Sequence, residues 1–255
     1  VDRLVNEVRR VILGSRPRSE ITTVAPERLK RAERAIVIEL DGVFTDDKQD
    51  VLDLVKRLRE TSADVALGVV TGRRPDAAAE LLHELQVPVP DFMIAAAGTE
   101  IVYGRKRVSD RSWARHIDHR WQPRAIQQAL IAMPGITLQP ETEQRHFKVS
   151  FYLDDEEAPR LREIRRALRQ RRLPAKCVLS DGSFLDVVPS RASPGRALRF
   201  LSYKWELWPN RVLVVGRTGI DEDMLRGDTL GVVVADHSPE LRGLRERPRV
   251  YFSEA

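Results

Sequence analysis

The sequence is almost without cysteine: Cys177 is the only one. A lone thiol cannot build an internal disulfide framework or a multi-cysteine metal site, which fits a reducing compartment and makes this side chain a small apolar filler in a strand. No apolar run approaches the ~18 residues that a membrane-spanning helix needs, and no N-terminal stretch has the charged-then-apolar form of an export signal. A protein soluble in the cytoplasm, with no membrane as partner, is therefore expected. The 42% of hydrophobic residues suffices for a globular core.

A strong charge of one sign is also missing. The 43 Lys and Arg against 38 Asp and Glu leave a formal charge of +5, and the sequence pI near 9.6 raises the question of nucleic acid, because basic surfaces attract phosphate backbones. Acids interleave most of the basic residues, however. The one dense run, "RLREIRRALRQRR" from Arg160 to Arg172, carries Leu161, Ile164 and Leu168 at helical spacing, as a solvated amphipathic helix does. No nucleic-acid partner is expected.

At 255 residues the chain accommodates a core domain with a smaller insertion, since single cores stop growing near about 250–300 residues. Residues 1–13 set Val1, Leu4, Val5, Val8, Val11 and Ile12 on one side of a helix, and a polar Ser/Pro/Arg/Thr stretch follows to Pro26, so residues 1–34 read as a helix and linker. Its apolar face fits either a neighbouring domain or this chain's own core. From Ala35 strands and helices alternate: "AIVIEL", "DKQDVLDLVKRLRETS", "VALGVVTG", "RPDAAAELLHELQV" and the strand and hairpin "FMIAAAGTEIVYG". That order predicts an open parallel α/β sheet. "RALRFLSYKWEL", "RVLVVG", "DEDMLRG" and "LGVVVAD" resume it. Between them "HFKVSFYLDD" alternates like a half-exposed antiparallel strand, and "KCVLSDGSFLDVV" reads as a hairpin around Asp181-Gly182. The expected division is a core over 35–106 and 185–255, with an α+β cap over 107–184 inserted into it.

In open parallel sheets ligands sit beyond the carboxyl ends of the strands. Four segments at such places carry polar groups: Glu39-Leu40-Asp41-Gly42, Thr71-Gly72-Arg73, Ser193-Pro194-Gly195 ahead of a helix, and Gly216-Arg217-Thr218-Gly219-Ile220-Asp221. Residue type alone leaves bland roles open. Glu39 could bond nearby backbone N–H groups, Asp41 and Thr71 could cap turns, and Asp221 could pair with Arg217.

This order of segments resembles the haloacid-dehalogenase phosphatases, whose four motifs are an Asp-x-Asp pair, a Ser or Thr, a Lys, and a Gly-Asp-x-x-x-Asp loop. "LQPETEQRHFKVSFYLDD", "GTEIVYG", "LDVVPSRASPGRALRFL" and "GVVVADHSPEL" are similar to the sucrose-phosphate phosphatase family over about residues 35–253, and "YKWEL" resembles the phosphatase-like domain at the C-terminus of sucrose-phosphate synthases. The resemblance implies a sugar phosphate, sucrose 6-phosphate, as ligand, and a glycosyltransferase domain upstream in the same polypeptide. It also implies a further helix beyond the final "YFSEA", so the chain is expected to be a domain of something longer or to end early.

Carried over residue by residue, the resemblance implies a damaged catalytic set. Glu39 stands at the position of the Asp nucleophile, and its extra methylene moves the carboxylate by more than about 1 Å, a displacement that can cost about a hundredfold in rate. Asp41 matches the general acid, and Thr71, with Gly72 and Arg73, matches the phosphate-binding hydroxyl motif. Pro194 replaces the Lys that neutralises charge, with only Arg191 and Arg196 nearby to reach in. Arg217 and Ile220 replace the acidic and amide-bearing members of the last motif, leaving Asp221. An Arg aimed into a Mg²⁺ site opposes an octahedron of oxygen ligands. The expectation is a domain that has lost phosphatase activity and needs no cofactor, holding phosphate through Thr71, Gly72, Arg73 and Arg217. A weak Mg²⁺-dependent phosphatase using Glu39 is the alternative, and a ligand-free interaction module is a third. In the cap, the resemblance places Glu141, Gln144, Arg145, His146 and Lys148 where relatives contact the sugar; a solvated strand face is the plain reading of the same residues. His146 has no partner at metal-ligand spacing.

Overall fold

The computed structural model describes residues 26–44, 48–61, 64–154, 156–180 and 182–254. The expected helix of 1–13, the linker up to residue 25, and Asp181 lie outside the described residues. In chain order the strands are β1 (Arg34–Glu39), β2 (Val65–Val70), β3 (Phe92–Ala95), β4 (Glu100–Tyr103), β5 (Val108–Ser109), β6 (Ile136–Leu138), β7 (Val149–Leu153), β8 (Ala175–Ser180), β9 (Phe184–Pro189), β10 (Val212–Gly216), β11 (Leu230–Val233) and β12 (Val250–Phe252). The helices are α1 (Glu27–Arg31), α2 (Lys48–Thr61), α3 (Pro75–Glu84), α4 (Arg111–Ile117), α5 (Pro123–Ile131), α6 (Leu161–Gln170), α7 (Pro194–Lys204) and α8 (Glu222–Leu225).

An eight-stranded sheet in the order β12-β11-β10-β1-β2-β3-β4-β5 forms the larger unit, parallel from β12 to β3 and antiparallel across β3-β4-β5. The apolar runs dictate this arrangement. Every residue of β2 is buried, as are Ala35, Val37 and Ile38 of β1, and strands apolar on both faces suit the middle of a parallel sheet covered by helices. Helix starts follow local chemistry: α3 begins with Pro75 and α7 with Pro194, where a missing N–H leaves no helical bond unmade. Asp110 opens α4 by taking the backbone N–H groups of Ser112 at 3.0 Å and Trp113 at 3.1 Å.

A four-stranded antiparallel sheet, β6-β7-β9-β8, forms the second unit, residues Ala114–Ala192. Helices α5 and α6 cover one of its faces, where Ile126, Leu130, Ile164 and Leu168 pack with Val149, Phe151, Leu185, Val187 and Cys177. The period of two along each strand sends Ser150, Tyr152, Phe184 and Asp186 to the opposite face. Phe151 is fully buried in this layer, so truncating it to Ala would cost about 3–5 kcal/mol. The unit is shifted from the expected cap of 107–184. β5 pairs with β4 and so stays in the large sheet, whereas β9 pairs with β7 and β8 down to Pro189 and carries the second unit further along the chain.

Candidate functional site

β10, β1 and β2 are neighbours in the sheet, in register at Ile38↔Val215 and Glu39↔Val70. Their carboxyl ends therefore bring the Leu40–Phe44 turn, the Thr71–Arg74 segment and the Arg217–Asp221 loop side by side. Gly42, at φ +116°, lets the first turn fold back tightly; a Cβ there would lie 3.2 Å from Arg217 Cδ and 3.5 Å from Glu39 Oε2. Gly98, at φ +86°, does the same for the turn after β3, where a Cβ would sit 2.2 Å from the Ser193 carbonyl carbon.

Glu39 is buried, and its Oε1 accepts the backbone N–H of Asp41 at 2.5 Å. Its Oε2 is buried and has no hydrogen-bond partner among the described residues. Burial first, then the neighbouring carboxylates Asp221 and Asp41, push this carboxyl up to about 9. At neutral pH it is a carboxylic acid. A protonated acid is not an anionic nucleophile, but it can donate a hydrogen bond.

Asp41 is intact and occupied on both oxygens. Thr71 Oγ1 donates to Oδ2 at 2.6 Å and Arg73 Nε donates to Oδ1 at 2.5 Å, while the Arg73 backbone N–H donates to Thr71 Oγ1 at 3.0 Å. The single hydroxyl proton of Thr71 thus points at a carboxylate. For it to bond a phosphate oxygen instead, the Thr71–Asp41 bond would have to open.

Arg217 is held by backbone carbonyls: Nη1 donates to Gly42 O at 2.9 Å and Nε to Asp236 O at 3.3 Å. The expected side-chain pairing with Asp221 takes another form. Asp221 is buried and its Oδ2 accepts the backbone N–H of Arg217 at 3.0 Å, the backbone N–H of Thr218 at 2.9 Å and Thr218 Oγ1 at 3.2 Å. This is the geometry of a loop cap, which satisfies otherwise unpaired N–H groups. Burial raises Asp221 to about 6 against the pull of those donors. Ile220 is 39% exposed and brings no polar ligand to the loop.

At Pro194, where the resemblance implies a Lys, Ser193 caps α7 by accepting the Arg196 N–H at 3.3 Å, and the Gly195 N–H donates to Asp223 Oδ1 at 3.1 Å. Pro194 is buried at the first helical position. Arg191, one of two cations considered as stand-ins, donates from Nη1 to His116 O at 3.4 Å inside the second unit.

These donors do not fit Mg²⁺. The ion requires several oxygen ligands in an octahedron, whereas both Asp41 oxygens and one Asp221 oxygen are engaged by other donors, the Arg217 guanidinium lies against Gly42, and Ile220 brings no ligand atom. Among the described residues no group of three or more His, Cys, Asp and Glu could hold a metal ion.

In the second unit the five residues proposed for sugar contact separate. Lys148 is buried and donates from Nζ to both oxygens of Asp186 at 3.3 Å. Gln144 braces β7 instead of presenting a free amide: its Nε2 donates to Gln139 O at 2.9 Å and Ser150 O at 3.0 Å, and its Oε1 accepts the Ser150 N–H at 2.9 Å. Arg145 and Lys148 close a tight turn through reciprocal backbone bonds. Glu141 and His146 are exposed, and His146 O accepts Trp121 Nε1 at 2.8 Å. Two members of the Lys148 network were missed from sequence, Asp186 and the buried Ser150, whose Oγ donates to Asp186 Oδ1 at 2.6 Å. A lone Asp inside the apolar strand "FLDVV" is the signal that could have found them, since Asp is depleted in strands.

Residues 32–255 match the family model described as Sucrose-6F-phosphate phosphohydrolase. Sucrose-phosphatase 2 of Nicotiana tabacum is 35% identical over 176 residues, which is 67% of this chain and 41% of that protein. The chain thus spans less than half the length of this curated relative. The glucosylglycerol-phosphate synthase of Pseudomonas anguilliseptica is 27% identical over 86% of this chain and 28% of its own length. Among solved structures, the sucrose-phosphatase of Synechocystis in complex with sucrose and phosphate superposes with a TM-score of 0.79 at 25% identity, covering 88% of this chain and 93% of that one. The mostly parallel sheet with a separate antiparallel sheet is thereby a haloacid-dehalogenase-like α/β fold.

Proposed function

Because the chain belongs to the sucrose-6F-phosphate phosphohydrolase family, we propose that it binds sucrose 6-phosphate, or a close sugar phosphate, without hydrolysing it. The observation that carries this reading is Arg217, whose guanidinium spans the carbonyls of Gly42 and Asp236 where the family motif has an acid. An Arg there supplies charge-assisted donors to a phosphate in place of a metal. Arg73 and the amino end of α3 add positive potential on the β2 side. Glu39, neutral at physiological pH, adds no repulsion to the incoming dianion.

Three losses act together: the nucleophile is displaced and protonated, the charge-neutralising Lys is a proline, and the metal ligands are depleted. Each normally supplies several kcal/mol of transition-state stabilisation. We further propose that the domain works in the cytoplasm as one part of a larger sucrose-phosphate synthase with a glycosyltransferase upstream. The resemblance of "YKWEL" to the domain at the C-terminus of such synthases is what supports that arrangement.

The test is calorimetric titration of the purified protein with sucrose 6-phosphate, beside an assay of released phosphate with Mg²⁺. Binding without release is expected, and Arg217→Ala should weaken binding by roughly ten- to a hundredfold. Unchanged affinity in that variant overturns the reading. The presence of Asp41 and Thr71 at the carboxyl ends of adjacent strands favours a second reading, a weak Mg²⁺-dependent phosphatase; phosphate release that disappears in Glu39→Gln would establish it.

A further inference from the structure

We propose that residues 1–13 of this chain, which lie outside the described residues, dock by their apolar stripe in a groove of the larger unit between α3 and the β4–β5 turn. The inference stands apart from the sugar-phosphate reading, because Thr71, Arg73 and Arg217 do not line this groove. The groove has a volume of about 830 Å³, and the buried Phe92 and Val102 form its floor. One rim is α3, whose Glu80 and Glu84 are both exposed; the other is the turn that carries Arg105 and Arg107. Arg107 Nε donates to Asp76 Oδ1 at 2.9 Å and bridges the two rims at one point. Glu80 and Glu84 have no ion-pair partner among the described residues. Four apart on one helix, they repel each other, and a cation placed against them would relieve that cost.

The tether and the charges identify the occupant. Pro26 is the first described residue, and it lies on the groove's own rim: a Cβ at Gly104, which lines the groove, would be 3.1 Å from Pro26 Cγ. That point is anchored, since Leu29 of α1 is fully buried. Residues 14–25 can span up to about 40 Å, whereas the 10 residues of α3 are about 15 Å long, so the whole groove is within reach. A tether this short gives an effective concentration on the order of mM, at which a weak contact suffices. Val1, Leu4, Val5, Val8, Val11 and Ile12 supply the apolar stripe. At about 100° per residue, Glu7 and Arg9 fall on opposite borders of that stripe, one on each side of Val8. The groove has the matching borders, acids along α3 and cations on the turn, so Arg9 meets Glu80 and Glu84 while Glu7 meets Arg105. Val89, 43% exposed beside the floor, gains apolar cover.

Hydrogen–deuterium exchange of the whole protein, read by mass spectrometry, tests the docking. Amides of residues 1–13 should exchange at least about tenfold more slowly than those of a solvated segment. Leu4→Asp with Val8→Asp should abolish that slowing and speed exchange in the 104–107 turn as well. Glu80→Lys with Glu84→Lys should also release the segment, and adding Arg9→Glu should restore its protection, a rescue that general destabilisation does not give. Glu80 and Glu84 are exposed, so these variants keep the fold, which circular dichroism verifies. A wild type in which residues 1–13 exchange like a solvated chain overturns the proposal, and so does unchanged protection in Glu80→Lys/Glu84→Lys. Protection that grows with protein concentration, alongside a dimer in light scattering, overturns it too, because a second copy's segment would then fill the groove.

Discussion

Arg73 Nε donates to Asp41 Oδ1 at 2.5 Å, so the carboxylate that the resemblance places as general acid is already ion-paired with the cation two residues after Thr71. Both side chains are partly exposed, at 49% and 35%, and exposed ion pairs contribute little to stability. The pairing bears on ligand binding instead. Arg73→Ala should leave the melting temperature nearly unchanged and weaken sucrose 6-phosphate binding by roughly tenfold or more. Equal affinity in the two proteins, measured by calorimetry, would remove Arg73 from the phosphate site.

Restoring the residues that the family motifs imply tests the proposed loss of phosphatase activity. Glu39→Asp alone shortens the carboxylate but leaves Pro194 and Arg217 in place, so it should release no more phosphate than the parent. The quadruple variant Glu39→Asp, Pro194→Lys, Arg217→Asp, Ile220→Asn should gain Mg²⁺-dependent release at least about a hundredfold above the parent. Robust turnover by the single variant would show that acid length was the one barrier.

Much of this site could be read from the chain, because apolar runs fix parallel strands and parallel strands place their following residues together. Glu39, Asp41, Thr71 and Arg217 were located that way. Their bonding was not, since it depends on which donor wins a given oxygen. Asp221 takes the Arg217 backbone N–H, a contact that residue types do not reveal. The cap's boundary escaped for a similar reason: β5 and β9 are assigned by ladder partners distant in sequence. Asp186 and Ser150 were hidden inside strands that looked merely apolar or merely alternating.

Glu39 makes stability fall as pH rises. Its carboxyl lies near 9 in the folded chain against an ordinary 4.5, so between those values the folded state holds a proton that the unfolded state has released. The stabilisation is complete below about 4.5, declines across the window and is gone above about 9. Glu39→Gln cannot ionise and should be more stable than the wild type at pH 8, by on the order of a few kcal/mol, with little difference at pH 4. Urea unfolding at the two pH values measures this; parallel pH dependence in both proteins would place the Glu39 carboxyl near its ordinary value.

The ion pair of Lys204 with Asp110 lies in the core of the larger unit, with side-chain exposures of 8% and 0%. Tyr103 OH donates to Asp110 Oδ2 at 2.6 Å, Ser112 Oγ donates to Oδ1 at 2.6 Å, and Trp205 Nε1 donates to Tyr103 OH at 3.1 Å. Burial alone would raise the Asp110 carboxyl, but Lys204, Ser112 and Tyr103 hold it below its ordinary value. The network ties the end of α7 to the start of α4, and removing one partner strands a charge away from water. Lys204→Ala should therefore cost about 3–5 kcal/mol, whereas Lys204→Met with Asp110→Asn, which keeps an oxygen for the α4 cap, should cost less because no unpaired charge remains. The lowered carboxyl sets the sign of the pH effect: its contribution is present above the ordinary Asp value and is lost as pH falls through the lower folded value. Denaturant unfolding of both variants at neutral pH distinguishes a buried-charge penalty from simple loss of packing. Equal destabilisation in the single and double variants would mean that packing of the Lys204 stem, and not its charge, holds α7 in place.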